Sequence, residues 1–317
     1  MTSATDLEYY SAQSAFTDPG WADAALAEAP TSIAGIRALV SRLVFHYRAS
    51  GDPTQLGFAP DRLHEIDLRY ADAMLARLAE LDPELVKPER AATDRILGCC
   101  RDYTVLFVAL ARRLGIPARA RVGFSGYFVE GWYLDHVVAE VWVADEQRWR
   151  LVDAQFGDGD IAVPFSFDDV PRDRFLTGAA AWIACRSGEL DPERFVVAPD
   201  LMVPDLRSWP YLLHNLVFDL AALNKQEMIL WEIWGVLESL EAADAALAAE
   251  LDGLAARLAD PAVSVAELAA LYDDDRFRVP AEVVNFSPLD GSKRRVRLRS
   301  GASAPASASA SASAPAD

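Results

Sequence analysis

The feature that most constrains the fold is a change of period between residues 114 and 118. Before it, "CRDYTVLFVALARRLGIPARARVGF" carries Val105, Leu106, Val108, Ala109 and Leu110 at helical spacing. Leu114-Gly115-Ile116-Pro117 then ends the helix, because glycine accepts a left-handed cap and proline cannot continue the turn. From there Ala118, Ala120, Val122 and Phe124 share one face of a strand, with Arg119 and Arg121 on the other. "HVVAEVWV" and "RWRLVDAQF" repeat the alternation on either side of the polar turn "ADEQ". A helix followed by sequential strands predicts an α+β fold.

The flanks read as helical. "PTSIAGIRALVSRLVFHYRAS" spaces Ile36, Leu39, Leu43 and Tyr47 as one amphipathic helix, and "DRLHEIDLRYADAMLARLAELDPE" does the same with Leu63, Ile66, Met74, Leu75 and Leu78. Beyond residue 175 the long apolar "SWPYLLHNLVFDLAALNKQEMILWEIWGVLESL" is read as helical, followed by a stripe of Leu247, Leu251, Leu254 and Leu258. "SKRRVRLRS" reads as a solvated basic tail, and the Ala, Ser and Pro stretch after it has too little to bury to offset its ordering entropy.

A net charge of −18 disfavours phosphate backbones, so nucleic acid is not an expected partner. No apolar run approaches the roughly 20 residues that span a bilayer, and "MTSATDLEYY" lacks the pattern of a signal peptide. A cytoplasmic protein without a membrane partner is expected. Cys99, Cys100 and Cys185 are an odd, sparse set that suits a reducing compartment rather than a disulfide framework. His46, His64, His136 and His214 form no ligand spacing with them, so neither a metal nor another cofactor is expected.

The adjacent cysteines open the helix. There, unpaired N–H groups and the macrodipole favour a thiolate, although a free cysteine also serves as a small buried hydrophobe. Period-2 alternation puts His136, Val138, Glu140 and Trp142 on one face, and Asp153 ends the next strand. A two-residue hairpin loop sets His136 opposite Asp153, and a four-residue loop sets them on the diagonal, roughly 4.5 to 8 Å apart at Cβ. An odd loop separates them. A carboxylate beside an imidazole beside a thiol is the arrangement that activates a cysteine nucleophile.

These segments resemble the transglutaminase-like superfamily of papain-related cysteine enzymes. The resemblance rests on Gly-x-Cys-Arg opening a helix, Gly-Ile-Pro-Ala-Arg leading into a strand, His136 four residues before Glu140, and Trp149 before Asp153. It implies a papain-like core, with the nucleophile helix packed on an antiparallel sheet and additional helices before and after. It also implies Cys100 as nucleophile, His136 as base and Asp153 as orienting acid, acting on a peptide, amide or thioester with water or an amine as acceptor. Residues 86–175 would be the catalytic core, 1–85 its N-terminal helical part, 176–285 a helical extension and 286–317 a basic stretch and then an Ala/Ser/Pro-rich disordered tail. The aromatic residue usual two positions after the histidine is Val138 here.

Cys99, Arg101, Asp102, Asp135, Glu140 and Gln155 are candidates for supporting the site or its oxyanion. Tyr127, Phe128, Trp132 and Tyr133 are candidates for a substrate groove, with plain hairpin packing as the alternative. Two other readings stand beside the enzyme: a non-catalytic scaffold on the same fold, and a redox sensor built on the vicinal thiols.

Overall fold

The computed structural model describes residues 2–238 and 245–299. In chain order the first elements are α1 (Ala4–Ser11), α2 (Ile33–Val40), β1 (Val44–His46), α3 (Ala71–Leu81), β2 (Ile96–Gly98) and α4 (Cys100–Arg113). The strands β3 (Ala118–Ser125), β4 (Tyr133–Val143) and β5 (Arg148–Val152) follow, then β6 (Phe175–Thr177), α5 (Gly178–Arg186), β7 (Phe195–Val196) and α6 (Ser208–Leu223). Last come β8 (Glu232–Ile233), α7 (Ala245–Ala259), α8 (Val265–Tyr272), β9 (Glu282–Phe286) and β10 (Lys293–Arg297).

The central sheet has the order β5-β4-β3-β6 with antiparallel neighbours, and β7 adds a short parallel pairing at the start of β4. Helix α4 is buried along its length from Cys100 to Arg112. It lies on the sheet face that carries Ala118, Ala139 and Val141, beside α2 and α3. Its end follows from the sequence. Gly115 takes φ +72°, so that its own N–H reaches Arg112 O at 2.9 Å and that of Ile116 reaches Ala111 O at 3.0 Å. Helices α5 and α6 pack against β3 in a core that also takes in Cys99, Cys100, Phe124 and Val137. The apolar packing therefore continues without a break across residue 176.

Four flanking segments differ from the sequence reading. The first expected amphipathic helix ends at Val40; Leu43 belongs to the turn that follows, and Val44–His46 forms a strand parallel to Ile96–Gly98. Residues Pro60–Asp67 are 3₁₀-helical and separate from α3, so Leu63 and Ile66 share no helix with Met74. The long apolar stretch breaks after Leu223. Lys225 adopts φ +59° and Gln226 N–H bonds Ala221 O at 2.9 Å, after which the chain passes through an irregular segment and a turn into β8.

The basic run near the C-terminus is the clearest correction. It is strand β10, paired with β9, and although its basic side chains stay exposed, Arg299 binds Asp72 at 2.7 Å while Arg294 pairs with Asp67. The carboxylates that order it lie more than 200 positions upstream, which local composition does not reveal. The expected disordered stretch from residue 300 onward lies outside the described residues.

Candidate active site

Cys99 is the extended residue that caps α4, and its N–H donates to the Asp102 carboxylate at 2.8 Å, which fixes Cys100 as the first helical residue. Asp102 in turn binds Arg101 at 3.0 Å. The Arg101 guanidinium also donates to the carbonyls of Leu68, Arg69 and Glu227. Arg101 and Asp102 therefore hold the nucleophile helix in place; their polar atoms are already taken and cannot serve a substrate.

The β4–β5 hairpin closes through the four residues Ala144–Glu146 and Gln147, with Gln147 at φ +51°. Ala139 pairs with Val152, so Asp153 lies just beyond β5 on the diagonal from His136. This is the four-residue alternative of the two even registers. His136 Nε2 and Asp153 Oδ2 are 2.8 Å apart, and the thiol of Cys100 hydrogen-bonds the same imidazole. With Nε2 on the carboxylate, Nδ1 is the nitrogen left for sulfur. Cys100 is 5% exposed, His136 1% and Asp153 0%.

Asp153 accepts two further bonds, from the Tyr127 hydroxyl at 2.5 Å and from Gln155 N–H at 3.0 Å. Phe128 meets the His136 ring edge-on at 4.8 Å. Tyr127 and Phe128 thus wall the imidazole. Trp132 instead lies under Arg194, and Tyr133 stacks on Phe195 at 4.6 Å, so these two pack the hairpin away from the thiol. A surface cavity of about 340 Å³ is lined by Tyr127, Glu130, Val163, Phe165 and Arg174. Of the four aromatic candidates, only Tyr127 reaches it.

The surroundings shift Cys100 and His136 in opposite directions, toward a thiolate beside an imidazolium. The Cys100 thiol is held well below its ordinary value by a hydrogen bond from Cys99; burial opposes this, and His136 and His46 reinforce it. Burial works against a charged His136, but Asp153 and the Cys100 sulfur overcome it and raise the imidazole to about 10. Cys99 moves the opposite way, well above its ordinary value, because its proton is bonded to Cys100. The two thiols are thus biased in opposite directions, with Cys99 donating toward the Cys100 sulfur.

Asp135 is raised to about 7 by burial and by the Cys100 charge; it accepts from Tyr211 at 2.8 Å and from Asn215 at 3.0 Å, which ties β4 to α6. Glu140 binds Arg119, Arg121 and Arg172 and has no bond to the relay. Gln155 contributes its main chain to Asp153, while its side-chain Oε1 is buried without a hydrogen-bond partner.

Sequence reasoning missed His46, whose side chain also hydrogen-bonds the Cys100 sulfur. Reading residues 33–47 as one helix put His46 on a helix instead of at the end of a strand that runs beside Gly98. Tyr211 and Asn215 were missed because they act across about 80 positions from a helix that reads as plain core.

Residues 41–154 match the family described as the Transglutaminase-like superfamily. This stretch contains His46, Cys100, His136 and Asp153, and over it the chain has a transglutaminase-like core. The match supports a cysteine-based enzyme in general. A solved structure described as a "Putative Cysteine Protease" from Cytophaga hutchinsonii is 16% identical with a TM-score of 0.34, covering 56% of this chain and 48% of that one. The chain thus spans about half of that protein's length, and a likeness this low carries no argument about chemistry. No curated protein matches the chain. Among the described residues no helix is long and apolar enough to cross a membrane, and no three His, Cys, Asp or Glu side chains are grouped to hold a metal ion.

Proposed function

We propose that the chain is a cysteine-dependent acyl-transfer enzyme acting on an amide, peptide or thioester, with Cys100 as nucleophile, His136 as proton carrier and Asp153 as orienter. The observation that carries this reading is one imidazole shared between a buried sulfur and a buried carboxylate, with 2.8 Å on the carboxylate side. Asp153 fixes which ring nitrogen faces the sulfur and stabilises the imidazolium. The lowered Cys100 thiol beside a raised His136 favours transfer of the proton to the imidazole ahead of attack.

The thiolate adds to the acyl carbon and forms a C–S bond. Collapse of the adduct breaks the bond to the leaving group, and an amine departs with the proton from His136. The thioester left on Cys100 is discharged by water or by an amine, with His136 taking the proton from the attacking group.

The test is trapping. Incubation with p-nitrophenyl acetate should add one acetyl group to Cys100, seen by intact mass and peptide mapping, with a matching burst of p-nitrophenolate. Cys100→Ala should abolish both. Equal, slow acetylation of Cys99, Cys100 and Cys185 would overturn the reading and leave the scaffold alternative standing.

A further inference from the structure

His46 ends β1 opposite Gly98, two positions before Cys100. That placement is fixed from both sides: Tyr47 N–H donates to Gly98 O at 3.0 Å, and the Tyr103 hydroxyl donates to Val44 O at 2.9 Å. The His46 Nδ1 accepts two main-chain N–H groups, from Arg48 at 3.2 Å and Ala49 at 3.1 Å. A ring nitrogen that accepts twice carries no proton, so the proton of this imidazole sits on Nε2. The register of β1 with β2 brings this side chain to the start of α4, where it acts on the Cys100 sulfur, and Nε2–H is the donor it has left for that sulfur. The thiol therefore lies between two imidazoles with different duties: His136, anchored on a carboxylate, and His46, anchored on two amides with a fixed N–H directed at sulfur.

We infer that His46 is the oxyanion donor of this site, an assignment that rests on the thiol-enzyme reading above. As the Cys100 sulfur bonds to an acyl carbon, the electron pair of the C=O π bond moves onto oxygen, two bonds from the sulfur beside which Nε2–H is placed. Nε2–H then donates to that oxygen and keeps its proton throughout. The ring cannot serve as a base toward sulfur, because its lone pair is turned to Arg48 and Ala49. His46 is also the partly exposed member of the cluster, whereas Cys100, His136 and Asp153 are buried, so an incoming carbonyl reaches sulfur along its side. Removing one donor of this kind typically costs about 10²- to 10³-fold in rate.

Two reactions at Cys100 separate this role from a structural one. Alkylation by iodoacetamide displaces iodide at a saturated carbon and builds no oxyanion, whereas acetylation by p-nitrophenyl acetate does. Each rate is taken on its pH plateau, where the thiol is fully ionised. His46→Asn keeps an acceptor where Nδ1 stood but withdraws the donor. His46→Gln keeps an N–H where Nε2 stood. We expect His46→Asn to slow acetylation about 100-fold while alkylation stays within about 3-fold of wild type, and His46→Gln to restore acetylation to within about 10-fold. The inference is overturned if both reactions slow by the same factor, if His46→Asn acetylates like wild type, or if His46→Gln is no better than His46→Asn. A wild-type protein without a Cys100-dependent burst overturns the enzyme reading and this one together, whereas a normal burst left unchanged by either variant overturns this one alone.

Discussion

His136 and Glu140 stand on one face of β4, four positions apart, each about 1% exposed and each in contact with opposite charge. Their surroundings make them different instruments. Glu140 is met by Arg119 at 2.7 Å, Arg121 at 3.1 Å and Arg172 at 2.5 Å, and Arg121 is shared with Asp219 on α6. Although burial raises it, these guanidinium groups hold its carboxyl far below the ordinary range. All the charge there is spent within the protein, and the cluster pins α6 to the sheet. At His136 the partners number fewer, and one of them is a thiol shifted toward its anion. Burial and ionic pairing therefore do not by themselves mark a candidate site; what distinguishes His136 is a partner not consumed by structural bonds.

The largest expected effect tests the His136 side. Asp153→Asn keeps the shape but removes the charge that orients and stabilises the imidazolium, and should slow acetylation of Cys100 by about 10³- to 10⁴-fold. A loss below 10-fold, read from the p-nitrophenolate burst in a folded variant, would reduce Asp153 to a packing residue.

Next comes the Glu140 side. Glu140→Gln should lower stability by about 3–5 kcal/mol, measured by urea unfolding, because buried guanidinium groups lose their shared anion. Iodoacetamide labelling of Cys100 in the folded variant should stay within about 3-fold of wild type. Labelling that collapsed with Glu140 would show that the two clusters are one.

The smallest effect is in the pH dependence. The raised His136 contributes stability that is complete below its unfolded value of about 6.5 and lost as pH rises through about 10. The depressed Cys100 contributes stability present above its unfolded value of about 8.5 and lost as pH falls through its folded value. Between about pH 6.5 and 8.5 the folded pair and the unfolded pair each hold one proton, so the contribution is flat, and it declines from about 8.5 to 10. The alkaline decline of the urea midpoint should be shallower in Cys100→Ala/His136→Gln than in wild type; superimposable profiles would mean that no ion pair forms.

Much of the Cys100, His136 and Asp153 arrangement was legible because long alternating strands fix parity: whichever even loop closed β4 onto β5, His136 and Asp153 had to share a side. Gly115 and Pro117 likewise announced the end of α4. What escaped was built from short or distant pieces. A three-residue strand such as β1 shows no period of its own, and Leu43 and Tyr47 kept helical spacing with Ile36 by coincidence. Lys225 ends α6 in a left-handed conformation without a glycine to announce it. Charge composition misread β10, whose Arg294 finds Asp67, as the following Arg299 finds Asp72, only in the folded chain.

The Arg101 contact with Glu227 O reaches 126 positions along the chain, and Asp135 waits for Tyr211 and Asn215. A ribosome must therefore release most of the polypeptide before the helix that carries Cys100 is riveted down. During synthesis Cys99, Cys100, His136 and Asp153 emerge together, while the contacts that fasten their helix and strand to α6 and its following loop come only with the last third of the protein.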